Sequence, residues 1–387
     1  MSVNILIVHG GGPTAVLNAS LYGAVMEAVK HEKINHIYGA RNGTGGILKE
    51  ELIELEKFAE EELKLLLQTP GSAIGTSRDE LEKPDFNRIA DILISKNIKY
   101  VLFNGGNGTM DTCGKLYKTC LERELDIRVM GIPKTIDNDI GVTDHSPGFG
   151  SAARYIAASV QEVCADVKGL PIHVVIVETS GRNAGWITAA SVLAGRDGNI
   201  GPDLIYLPER PFSEERFLKD VRGLLKKKTG VVAVVSEGLK NEEGNPIVKP
   251  IFETERATYF GDVSTHLANL VVKKLGYKAR GEKPGLLGRA SIMLDSSIDR
   301  EEAIMAGEFA CRAVLAGESG KMVAFRRVST APYRIEAFLV NIDEVMMREK
   351  TIPDKFINSE GNGVTAAFVE WCRPLIGASM PKMIFFN

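Results

Sequence analysis

The chain has 387 residues, is 44% hydrophobic and 25% charged, and carries a net charge of −3. This is the composition of an ordinary soluble globular protein with room for two domains, and the charge balance gives no reason to expect a nucleic acid or a membrane surface as partner. No apolar run approaches the roughly 20 residues of a membrane-spanning helix, and five scattered cysteines without a CxxC pair read as reduced thiols of a cytoplasmic protein.

The opening, MSVNILIVHGGG, reads as a strand running into a glycine loop and lacks the regions of a signal peptide. Val3 to Val8 is apolar except for Asn4, as expected of a strand buried on both faces. Gly10-Gly11-Gly12-Pro13-Thr14 and a helix from about Ala15 to Val29 follow. A strand, a glycine turn and a helix suit phosphate binding, although three glycines serve close packing equally well. GxxxxGK[ST] and the GxGxxG spacing are both missing, so neither the P-loop nor the dinucleotide fingerprint is present. A short strand at His36 to Tyr38, a glycine turn at Asn42 to Gly46 and an acidic helix from about Lys49 to Leu67 come next. The small-residue loop from Gly71 ends in Arg78, either a phosphate fork or a solvated arginine. A helix from about Phe86 to Lys96 completes this part.

The chemistry concentrates between Tyr100 and Gly148. Tyr100 to Phe103 is a strand followed by Gly105-Gly106-Asn107-Gly108-Thr109 and a helix. Ile127 to Ile132 is a second strand, followed by Pro133-Lys134-Thr135-Ile136-Asp137-Asn138-Asp139. Loops at the carboxyl ends of adjacent parallel strands are where an open α/β sheet binds ligands. The first offers backbone amides at a helix N-terminus, which suits phosphate. The second offers a lysine and two carboxylates, which suit charge stabilisation and proton abstraction. Together they describe a phosphoryl-transfer site.

Beyond it, Phe149 to Val167 reads as a helix and Ile172 to Glu178 as a strand leading into Thr179-Ser180-Gly181-Arg182. Leu204 to Leu207 and Val231 to Val235 are strands, the second closing on Ser236-Glu237-Gly238. A helix from Phe260 to Leu275, Arg280, a loop at Gly281 to Gly285, and Arg289 follow. Then come a helix from Asp299 to about Ala316, a strand near Glu336 to Val340 and a helix from Gly363 to Cys372. The repeated βα step argues for an α/β fold with parallel sheets in two lobes.

With these blocks in view, the chain resembles the phosphofructokinase family nearly end to end. The matching residues are Gly11 to Asn18, Gly105 to Thr109, Pro133 to Asp139, Pro147 to Gly150, Gly181-Arg182, Ser236 to Gly238, and Arg280 with Arg289; the tail from Ile357 to Thr365 is most similar to the short pyrophosphate-type branch. The resemblance implies two Rossmann-like lobes with mainly parallel sheets and an active site in the cleft between them. Residues 1–145, completed by about 275–325, would bind the donor, and 146–274, completed by about 326–387, the sugar phosphate. It also implies roles. Asp137 would be the base, Asp139 would support it and Mg²⁺, and Lys134 would neutralise charge on the transferred phosphoryl. Gly12, Gly106, Gly108 and Thr109 would cradle the donor phosphates, with Arg78 bridging them and Asn107 at the metal. Thr135, Ser180, Gly181, Arg182 and Glu237 would hold the acceptor, Arg182 also aiding catalysis, and Arg280 and Arg289 would clamp its phosphate. A homodimer or homotetramer is the family's habit.

Several residues depart from the family pattern. Gly108 stands where pyrophosphate users carry an aspartate that displaces a nucleotide, whereas Lys134 is typical of pyrophosphate users; on steric grounds the donor reads as ATP. Asn107 replaces a metal-binding aspartate. Ser180, His173 and Leu286 alter the surroundings of the sugar phosphate. The reading is a cytoplasmic, Mg²⁺-dependent kinase of fructose 6-phosphate. The alternatives are transfer from pyrophosphate, another sugar phosphate, sugar, polyol or nucleoside as acceptor, or a catalytically silent regulatory subunit.

Overall fold

The computed structural model describes residues 2–170, 173–253, 258–346 and 349–386. Its strands are β1 (Val3–His9), β2 (Ile34–Ala40), β3 (Leu52–Glu54), β4 (Ile98–Gly105), β5 (Arg128–Pro133), β6 (Val174–Thr179), β7 (Leu204–Tyr206), β8 (Val231–Ser236), β9 (Pro250–Glu253), β10 (Thr258–Phe260), β11 (Ala279–Glu282), β12 (Lys321–Thr330) and β13 (Tyr333–Asn341). The chain divides into two units, Met1–Ser151 with Arg289–Lys350, and Ala152–Gly288 with Thr351–Asn387. No helix among the described residues is long and apolar enough to cross a membrane. All five cysteines are buried and unbridged.

The first unit is built on a seven-stranded sheet of order β13-β12-β5-β4-β1-β2-β3. The strands from β2 to β12 run parallel, and β3 and β13 close the two edges antiparallel. Strand side chains alternate between faces, so Leu6, Val8, Val101 and Phe103 pack under Phe86, Ile89, Met110 and Leu116. Ile5, Ile7, Leu102 and Met130 fill the opposite face beneath Leu21, Val25, Ala306 and Val314. The helices Leu17–Val29 and Ser297–Ala316 approach so closely that a Cβ on Gly23 would lie 2.2 Å from the carbonyl oxygen of Ile304. This contact ties residues far along the chain to its start. The chain order reverses at β1 and β4, the position where doubly wound sheets bind ligands.

Two expectations are corrected here. The acidic helix from Lys49 to Leu67 is absent over its first half. Leu52, Ile53 and Glu54 pair instead with Ala40, Gly39 and Tyr38, while the Glu56 carboxylate accepts the Ile37 amide at 3.0 Å. Satisfying the backbone groups at the edge of β2 outweighs local helix propensity, and only Glu60–Lys64 remains α-helical. Residues 326–341, expected in the second lobe, belong to the first sheet, because β12 pairs with β5 through Lys321 and Met322 and carries β13 with it.

Within this unit His145 is buried between Asp144, 2.8 Å from Nδ1, and Glu302, 2.6 Å from Nε2. Tyr333 donates its hydroxyl to the same glutamate at 2.6 Å. Burial alone lowers the imidazolium pKa, but Glu302 and then Asp144 overcome it and raise the value from 6.5 to about 9. A group with a raised folded-state pKa stabilises fully below its unfolded value and loses that contribution as pH climbs through the folded one. Removing one partner of such a buried pair costs about 3–5 kcal/mol. The Tm difference between wild type and His145→Gln is therefore expected to be large at pH 6 and to shrink by pH 9.5; a gap independent of pH would contradict this account.

The second unit has a four-stranded parallel sheet, β11-β6-β8-β7, and a separate β9–β10 hairpin. The strand expected from Ile172 begins at Val174 among the described residues, Ile172 lying outside them. Trp186, Phe356, Phe368 and Trp371 cluster with ring centroids 4.9–6.4 Å apart and fasten the C-terminal segment to this unit.

Candidate active site

In the first unit, the loops after β1, β4 and β5 emerge side by side. The Gly10 amide bonds the Asn104 carbonyl at 3.0 Å, and the Lys134 amide bonds that of Gly105 at 3.0 Å. Lys134 is only 4% exposed, and its Nζ crosses to the first loop to donate to the Gly12 carbonyl at 2.6 Å. A Cβ on Gly12 would lie 2.7 Å from Nη1 of Arg289 and 3.4 Å from Nη2 of Arg78. Three cations therefore gather on one stretch of bare backbone. Burial, then the charges of Arg78 and Arg289, lower the Lys134 pKa to about 8 against the pull of Asp137 and Asp139. The helix Asn107–Glu122 starts in the neighbouring loop with no side chain capping it, so its positive end is available to an anion.

Asp137 and Asp139 are half-buried on the loop after β5. Thr135 Oγ1 accepts the Asp137 amide at 3.1 Å, holding the turn by its backbone. Asp139 Oδ2 accepts from Asn107 Nδ2 at 2.9 Å. Since a carboxylate only accepts, this bond fixes the Asn107 amide with Oδ1 turned away. Asn107 Oδ1 and Asp139 Oδ1 are both buried without a hydrogen-bond partner among the described residues. Acceptor oxygens lacking donors, on two residues that touch each other, are of the kind a hard cation such as Mg²⁺ takes, so the chemistry of the donor set suits the metal expected there.

A Cβ on Gly108 would meet nothing within 4 Å, so the space beside this residue is open. Thr109 is buried, and its side chain fills the room left by Gly10 and Gly105: a Cβ on either would lie within 2.3 Å of its hydroxyl. Its evident work is packing the two loops together. Gly106 lies against the Lys134 carbonyl, 3.3 Å from where its Cβ would be.

In the second unit, the turns after β6 and β8 interlock. Glu237 bonds its amide to the Thr179 carbonyl at 3.0 Å, and its carboxylate accepts the Gly181 amide at 3.2 Å. Ser236 donates its hydroxyl to the Gly181 carbonyl at 2.6 Å. Ser180 is half-buried and Arg182 exposed, its guanidinium 5.6 Å from the Phe260 ring centroid. Arg280 lies on β11 rather than in a loop, exposed and 3.8 Å from Glu282. Thus Arg280 and Arg289 fall in different units, and the Arg289 guanidinium is found at Gly12. His173 packs its ring 5.3 Å from that of Tyr277, and Leu286 is 68% exposed.

The sequence reading missed Lys350, whose Nζ reaches Asn138 Oδ1 from 212 positions along the chain. No local motif marks it.

Clustered cations at a helix N-terminus, beside a carboxylate-bearing loop at the switch point of a parallel sheet, are the means by which α/β phosphotransferases handle a phosphoryl group. The family model described as Phosphofructokinase matches residues 4–315, and the chain belongs to that family. It is 36% identical to the pyrophosphate–fructose 6-phosphate 1-phosphotransferase of Rhodospirillum rubrum, over 97% of this chain and 95% of the relative. A sulfofructose kinase from Alkalicoccus urumqiensis is 33% identical over 97% of this chain and 96% of its own. Among solved structures, the pyrophosphate-dependent phosphofructokinase of Nitrosospira multiformis superimposes with a TM-score of 0.90 at 33% identity, covering 98% of this chain and 94% of the other. The protein is accordingly an enzyme, a phosphotransferase of the phosphofructokinase type.

Proposed function

We propose that the enzyme transfers a phosphoryl group from inorganic pyrophosphate to the 1-hydroxyl of fructose 6-phosphate. The observation that carries this reading is the convergence of Lys134, Arg78 and Arg289 on Gly12. Pyrophosphate has no base or ribose to bind, so its affinity must come from charge, and forked guanidiniums beside an ammonium supply it. Matches over nearly the full length to relatives named for pyrophosphate support the same donor. This replaces the preference for ATP drawn from Gly108. The open space at that glycine keeps ATP as the second reading.

In the proposed reaction Asp137 takes the proton of the acceptor hydroxyl as its oxygen bonds to phosphorus, and orthophosphate leaves with the electrons of the broken P–O bond. Lys134, Arg78 and Arg289 offset the charge on the transferred and leaving groups. Mg²⁺, held by Asp139 and Asn107 with Asp137 nearby, would shield the phosphate oxygens. Ser180, Gly181, Arg182, Glu237 and Arg280 are assigned to the sugar, Thr135 supports the loop, and the working enzyme is a cytoplasmic homo-oligomer.

The test crosses pyrophosphate and ATP with fructose 6-phosphate and its 6-sulfonate analogue, using wild type and Gly108→Asp. Turnover with pyrophosphate is expected, and the variant should keep it within a few-fold, because its carboxylate enters empty space. Turnover confined to ATP, and lost in Gly108→Asp, would reject pyrophosphate. Activity confined to the sulfonate would reject fructose 6-phosphate and make Ser180, His173 and Leu286 parts of a rebuilt acceptor site.

A further inference from the structure

We infer that Lys350 is a positioning residue for the phosphoryl-transfer loop, holding Asp139 in the orientation that sets Oδ2 on Asn107 Nδ2 and leaves Oδ1 without a donor. This rests on the proposed placement of the metal at that pair.

The residues after Asp137 need outside support. Asn138 has a φ of +50° and Val142 one of +61°, in the left-handed region that asparagine tolerates and a β-branched valine avoids. Lys350 supplies support at two points. Its amide donates to the Asp139 carbonyl at 2.8 Å, fixing the backbone of the carboxylate-bearing residue. Its ammonium donates to Asn138 Oδ1 at 3.3 Å and to the carbonyls of Thr143 and Asp144 at 3.0 Å each. The same Asn138 oxygen also accepts the Ser146 amide at 3.1 Å, so the ammonium joins the start of the loop to its return.

The surroundings explain why a lysine is required. An ammonium is a compact point donor that serves three oxygens in different directions, which a planar guanidinium cannot do. Without the ammonium, the Thr143 and Asp144 carbonyls would lose this donor and Asn138 Oδ1 would keep only the Ser146 amide. On the other side the loop is anchored through Asp144, which accepts from Arg327 at 2.9 Å and lies 2.8 Å from His145. Lys350 thus connects the Asp139 backbone to an already rigid charge network. Outer partners of metal-holding groups change affinity or activity by about 10–100-fold when removed.

The test uses full-length Lys350→Met, Lys350→Gln and Asp139→Asn. It measures steady-state kinetics together with Mn²⁺ affinity by electron paramagnetic resonance on protein shown by circular dichroism to be folded. Lys350→Met should weaken Mn²⁺ binding and lower kcat by about 10–100-fold each, with the acceptor KM within two-fold of wild type. Lys350→Gln, which keeps a donor on the side chain, should recover part of both losses. Unchanged Mn²⁺ affinity in folded Lys350→Met, alongside a clear loss in Asp139→Asn, would overturn the role of Lys350 alone. Unchanged Mn²⁺ affinity in Asp139→Asn would overturn the metal placement, and this inference with it.

Discussion

Asp137→Asn is expected to lower kcat by about 10²–10⁴-fold, the span that a positioned general base contributes. The substitution is nearly isosteric. Thr135 Oγ1 holds this residue through its backbone amide, so the loop keeps its shape when the side chain changes. The KM values for both substrates should stay within a few-fold, since the lost interaction develops only as the hydroxyl proton moves. The residue is half-buried, so the Tm should shift by no more than a few degrees. Steady-state kinetics in both directions, with a melting curve on the same preparation, check all three points. A variant retaining more than a tenth of wild-type kcat would assign proton removal elsewhere. An inactive wild type, with every donor and acceptor tried, would favour a silent regulatory subunit instead.

Much of this site can be read before any coordinates, because its elements are local. An apolar strand, a glycine turn and a helix occupy consecutive positions, as at Tyr100 to Thr109, and the lysine and both aspartates fall within six residues. Interactions over long separations are not written this way. The β12 strand forms because β5 offers it an edge, and nothing near Lys321 announces that pairing. The run from Lys49 to Leu67 has helix formers throughout, yet an open edge of β2 takes three of its residues as a strand. Arg289 has no local signal for its place beside Gly12, where packing sets its guanidinium. Lys350 sits in the unremarkable run Glu349-Lys350-Thr351, and its function depends on carbonyls some two hundred positions away. Gly108 shows the opposite difficulty. A Cβ there would meet nothing within 4 Å, but space permits a nucleotide without requiring one, and the surrounding charge carries more information about the donor.

Lys134→Met separates activity from stability by moving them in opposite directions. Removing a charge aimed at the phosphoryl group should lower kcat by about 10²–10³-fold, as loss of one preorganised donor does. The same ammonium is an expense to the fold, because burial, seconded by Arg78 and Arg289, lowers its pKa from 10.5 to about 8. Between these values the unfolded chain holds a proton that the folded protein has released, so stability rises with pH across that window. Below pH 8 the folded protein bears the cost of the buried charge. At pH 7 the methionine variant should therefore be more stable than wild type by about 2 kcal/mol, after allowing for the lost hydrogen bond to the Gly12 carbonyl. That advantage should fade as pH approaches 10.5. In wild type, kcat/KM reports the free enzyme and should fall as pH rises through about 8. The limb in kcat should lie higher, because a bound anionic phosphoryl donor favours the ammonium form. Denaturant melts and pH–rate profiles on the two proteins read out both effects. A kcat/KM profile flat to pH 10, or a methionine variant less stable than wild type at pH 7, would show that the ammonium is neither strained nor poised as described.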